Sequence, residues 1–193
     1  FTSRHGDMSQ AVGYDKSMML FHMLRRELGD ELFLEGLRYF YRNNRFQTAG
    51  YNELRNAFEA VSDRDLSTIF NQWLERPGAP MLSLSQVESK TENNMHQLSF
   101  VLEQIQSGVP YTLQVPIMIQ LEGDEAIQMK SIKLSEKRQQ FTVKLQRRAT
   151  RLSIDPAFDI FRRLDPAEIP PSHGQHFSAS QLTLILPADA SFK

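Results

Sequence analysis

Across Arg76-Pro77-Gly78-Ala79-Pro80 the period of the apolar residues changes from about 3.6 to 2. Two prolines and a glycine in five residues stop a helix, because proline lacks an amide donor and its ring clashes with the preceding turn. A chain divided this way keeps its helices and strands apart. The fold class expected is segregated α+β, a short helical bundle followed by an antiparallel β-sandwich.

Ahead of the break, residues 14–28 read as a helix that begins after Gly13 and stops at Gly29. Asp30 is placed to cap a second helix reaching Asn44, with Phe33, Leu37, Phe40 and Tyr41 on one side. A third helix carries Tyr51, Leu54, Phe58 and Val61; a fourth carries Leu66, Ile69, Phe70, Trp73 and Leu74. The short spacers favour antiparallel neighbours. Beyond the break, Leu98, Phe100 and Leu102 alternate, as do Leu113, Val115, Ile117, Ile119 and Leu121, then Phe141, Val143 and Leu145. With Leu82–Leu84, Ile127–Met129, Ile132–Leu134 and Leu152–Ile154, about six or seven short strands are expected. Pro116 implies an edge strand or a bulge. After Asp155-Pro156 the pattern dissolves, residues 165–176 read as a linker or wrapping arm, and Gln181–Leu186 resemble one more strand.

Composition excludes several functions. A net charge of −1 argues against a nucleic-acid partner, whose domain would be strongly basic. The absence of cysteine removes disulfides, thiolate nucleophiles and Cys-ligated metals. No apolar run approaches the ~20 residues that span a bilayer. The start at Phe1-Thr2-Ser3, with neither Met nor a signal-peptide core, reads as an interior cut with any targeting region upstream. The compartment therefore stays unknown, bacterial cytoplasm and cell envelope both being compatible.

Zinc hydrolases need about three protein ligands and a water, with histidines often one helical turn apart. Of His5, His22, His96, His173 and His176, only the last two are close. Their Gly174-Gln175 spacer lies in a Pro/Gly-rich stretch, so they read as solvated linker residues, and His22 reads as a packed or hydrogen-bonded helix residue. Neither a Gly-x-Ser-x-Gly elbow nor a Gly-x-x-x-x-Gly-Lys loop occurs. The pairs Asp30–Glu31 and Asp63–Asp65 are explained by helix starts, where carboxylates favour the dipole. From Lys130 to Arg151 eight basic residues stand against Glu136 alone. Outward polar positions of alternating strands account for them; an anionic partner is the second reading.

Gly13-Tyr14-Asp15-Lys16-Ser17-Met18, the run Leu24-Arg25-Arg26-Glu27-Leu28-Gly29, then Phe33 and Gly36-Leu37 precede Trp73-Leu74 and Pro77-Gly78-Ala79-Pro80. In order and spacing these resemble the aminopeptidase N and leukotriene hydrolase family of zinc metallopeptidases over roughly residues 9–85. The resemblance implies that residues 1–78 are the C-terminal helices of a catalytic domain and 79–156 a β-sandwich. Residues 157–193 would be an arm leading to a further segment. It implies Tyr14 as the donor that stabilises the oxyanion of the tetrahedral intermediate, a task suited to a phenol, whose ordinary pKa of about 10 keeps it protonated near neutrality. Ser17 stands where the family usually has glycine.

The family's His-Glu-x-x-His motif, distal glutamate and Gly-x-Met-Glu-Asn loop all precede that tyrosine and are not on this chain. The expectation is thus a piece of an enzyme acting on peptides, with zinc in the parent protein and none here, partnered by the missing N-terminal catalytic region and inactive alone. Substrate-binding residues are unknown. A non-catalytic scaffold or interaction module is the alternative. A third reading, carbohydrate or envelope binding by residues 79–156, would need exposed aromatic clusters.

Overall fold

Each apolar stripe before Arg76 becomes a helix, and each alternating run between Pro80 and Asp155 becomes a strand. Residues 11–92, 95–123 and 127–169 are described in the computed structural model. A π-helical turn, Ala11–Lys16, leads into α1 (Ser17–Leu28), followed by α2 (Asp30–Asn44), α3 (Tyr51–Ser62) and α4 (Ser67–Leu74). The strands are β1 (Leu82–Glu92), β2 (Met95–Gln104), β3 (Leu113–Leu121), β4 (Ile127–Leu134), β5 (Arg138–Leu145) and β6 (Ala149–Ile154). They form two antiparallel three-stranded sheets, β1-β2-β5 and β4-β3-β6, so the fold is α+β. These elements belong to one compact unit ending at Arg163; Leu164 onward forms a second, in which Pro166–Glu168 make a 3₁₀ turn. Among the described residues no helix is long and apolar enough to cross a membrane.

Leu20, Leu24 and Leu28 follow one another at i, i+4, i+8 and bury the inner face of α1. Gly36 is buried in α2 because a Cβ there would lie 2.3 Å from a ring carbon of Phe58, which stacks on Phe33 at 5.5 Å between centroids. Gly36→Ala gains about 1 kcal/mol of helix propensity, but forcing a methyl into that ring costs more. We expect a net loss of about 1–3 kcal/mol, read as a lower urea midpoint. A higher midpoint would show that Phe58 can withdraw.

Several expectations are corrected. The first helical turn starts before Gly13, not after it, as part of the π-helical turn. Asp30 is the first residue of α2 rather than its cap; both carboxylate oxygens are taken by Arg25, at 2.7 and 3.0 Å, which holds the carboxyl below its usual range. Asp63 ends α3 in the left-handed region (φ 50°), whereas Asp65 does serve a helix start, accepting from the Ser67 amide at 2.8 Å. Tyr41 lies 65% exposed, about 100° round the helix from Phe40. Ile127–Leu134 form a single strand, and β1 runs on to Glu92 past an irregularity between Ser85 and Glu88.

Pro116 sits in the central strand of its sheet, contrary to the edge or bulge expected. Its carbonyl accepts from the Asp155 amide at 2.7 Å, so its amide position faces β6. The β3–β6 ladder ends at Ile117↔Ile154, and Asp155 turns away with φ 48°. No ladder bond is required where proline cannot donate one. The irregularity in β3 falls instead between Gln120 and Leu121.

Candidate functional site

Tyr14 stands on the π-helical turn, 72% exposed, with its hydroxyl bonded to none of the described residues. Two contacts fix the turn that carries it. Lys16 Nζ donates to the Arg76 carbonyl at 2.8 Å and lies 6.0 Å from the centroid of the Phe161 ring, and burial lowers its pKa. Ser17 Oγ and Tyr51 OH are 2.8 Å apart, a hydrogen bond that a glycine at this position would not supply. Lys16 therefore ties the Tyr14 turn to the helix–sheet break, 60 residues away in sequence.

The break itself is a packed seam. Trp73 of α4 stacks on Tyr111 at 5.2 Å and meets Phe161 edge-on at 5.9 Å. Arg76 lies over the Tyr111 ring at 3.9 Å and donates to the Pro110 carbonyl at 3.1 Å and to that of Val109. Two buried glutamines secure the segment from either side. Gln72 exchanges both amide hydrogen bonds with the Thr112 backbone (3.0 and 2.7 Å), and Gln104 does the same with Tyr111 (2.8 and 2.8 Å). Sequence reasoning missed both, because a lone glutamine in an apolar run carries no periodic signal. It also missed Lys16, whose partner is a remote carbonyl.

The remaining candidates are scattered. His22 Nε2 pairs with Asp159 Oδ1 at 2.7 Å, as expected of a hydrogen-bonded helix residue, and His96 Nδ1 lies 2.8 Å from Thr91 Oγ1. His5, His173, His176 and the strand expected at Gln181–Leu186 lie outside the described residues. Among the described residues no group of three His, Cys, Asp or Glu side chains could hold a metal ion. The eight basic residues from Lys130 to Arg151 are all exposed and are divided between β4, β5, β6 and the connecting turns, so they do not share one sheet.

The helices lead into two antiparallel sheets, and the turn that carries Tyr14 is anchored where they meet. The chain superposes on the crystal structure of Legionella pneumophila aminopeptidase A in complex with aspartic acid with a TM-score of 0.63. That match covers 80% of this chain and 18% of the other at 19% identity. Residues 3–73 match the peptidase family M1 domain. Over 78 residues the chain is 38% identical to aminopeptidase N of Lactococcus lactis subsp. lactis, covering 40% of this chain and 9% of that protein. Over 124 residues it is 26% identical to aminopeptidase N of Lactobacillus helveticus, covering 64% and 14%. The likeness to the M1 domain is confined to residues 3–73, and the chain spans roughly a tenth of the length of these two relatives.

Proposed function

We propose that this chain is part of an aminopeptidase that removes N-terminal residues from peptides, with Tyr14 as its oxyanion donor. The observation that carries the reading is the M1 match over residues 3–73, which includes Tyr14, exposed on an anchored turn with its phenol bonded to none of the described residues. When a nucleophile adds to the scissile carbonyl, negative charge gathers on the carbonyl oxygen. A phenol O–H aimed at that oxygen strengthens its hydrogen bond as the charge grows, so it lowers the barrier rather than merely tightening binding. The Lys16–Arg76 bond limits the freedom the phenol would otherwise lose at that moment.

In this reading residues 1–78 are the closing helices of the catalytic domain, 79–156 the following sheet domain, and 157–193 an arm. Zinc, which the family resemblance implies, would be held by residues outside this chain. The described residues offer no ligand set that fits it, and no step is derived through it. The 193-residue chain alone is expected to release no amine from an aminoacyl-arylamide, with or without added zinc. Chelator-sensitive release by the purified chain would overturn the reading. A longer polypeptide that includes this segment should be active; if it is inactive with zinc bound, the scaffold alternative gains.

A further inference from the structure

A cleft of about 460 Å³ opens beside the seam, between the C-terminal half of α1, α4 and the β4-β3-β6 sheet. Its volume falls within the range of small-molecule sites, about 300–1,000 Å³. Met23, Ile69, Trp73, Leu113 and Ile160 give it an apolar floor. Two acids and two bases also line it. The acids are already committed: Glu27 pairs with Arg64, and Asp159 accepts from His22 at 2.7 Å and faces Arg26 Nε at 3.5 Å. The bases are not fully used. Arg26 meets Asp159 at 3.5 Å and its guanidinium makes no hydrogen bond to the described residues, and Lys130 of β4 has no acidic partner among them.

An ammonium without an acidic partner and a guanidinium with free N–H groups, lining the same largely apolar cleft, suit an anion with an apolar body. Glu27 and Asp159 in the same lining repel a doubly charged phosphate more than a singly charged carboxylate, which an Arg and a Lys together match. We propose that this cleft binds a small carboxylate carrying one bulky apolar group, its charge held between Arg26 and Lys130 and its side group over Trp73. The assignment stands on the cleft alone and does not depend on the peptidase reading.

Trp73 is the only tryptophan of the chain, so its fluorescence reports occupancy directly. The chain is titrated with 3-phenylpropionate, with N-acetylphenylalanine and with neutral N-acetylphenylalaninamide. The carboxylates should give a saturable change, and the amide should bind about five- to tenfold more weakly. Lys130→Gln should weaken the carboxylates by a similar factor and leave the amide unchanged. Since Lys130 is exposed and without an acidic partner, that variant should keep the parent unfolding midpoint. Preference for N-acetylphenylalanine would mark peptide C-termini as the source, and preference for 3-phenylpropionate free organic acids. No saturable change at millimolar concentrations, equal binding of amide and acid, or indifference to Lys130→Gln would each overturn the proposal.

Discussion

Tyr14→Phe, introduced into a polypeptide that contains this segment and is active, is expected to lower kcat about 10²- to 10³-fold. The substitution removes one hydroxyl and nothing else. Because the Tyr14 side chain is 72% exposed and its hydroxyl bonds to none of the described residues, stability has little to lose. The unfolding midpoint should therefore stay within the scatter of ordinary surface changes, about 0.5 kcal/mol. KM should move little, since an oxyanion donor acts on charge that exists only near the transition state. A packing role would give the reverse: a shifted midpoint with kcat nearly intact. That outcome would remove Tyr14 from the chemistry. Ser17→Gly is a useful companion, because it breaks the bond to Tyr51 beside the same turn while leaving the phenol in place.

The sequence showed the helix-to-strand switch plainly, because Pro77, Gly78 and Pro80 leave a backbone signature that tertiary contacts do not override. The inner stripes were equally legible, since burial at i, i+4 and i+8 in α1 or at alternate positions in β3 follows directly from element geometry. Failures came where a partner decides the outcome. Proline in a strand forbids a donor but does not say where the neighbouring strand ends, and Pro116 turned on the departure of the chain at Asp155. Asp30 had a helix start within reach and took Arg25 instead. The site divides in the same way. Tyr14, the proposed donor, is picked out by the family resemblance, whereas Lys16, Gln72 and Gln104 act on carbonyls and amides that no motif encodes.

The largest stability effect is expected from the least conspicuous pair. Asp155 Oδ2 accepts from Arg162 Nε at 2.8 Å, and Oδ1 accepts from the Asp159 amide at 2.7 Å. The two side chains are 0% and 1% exposed. Burial pushes the Asp155 carboxyl above its usual range, against the lowering effect of Arg162 and of the Asp159 and Ile160 amides. A carboxyl whose folded pKa is raised contributes stability that is fully present below its unfolded value of about 3.9 and is lost as pH rises through the folded value. Arg162→Met removes the counter-charge, so the folded value should climb further and the penalty should grow as pH increases. At pH 7 the variant is expected to lose about 3–5 kcal/mol, the cost of leaving one buried charge without its partner. At pH 4, where Asp155 can take up a proton, the loss should be much smaller. Urea midpoints at the two pH values measure the difference, and Asp155→Asn added to Arg162→Met should recover part of the neutral-pH loss. An equal loss at both pH values, with no recovery in the double variant, would mean that Arg162 contributes packing rather than charge.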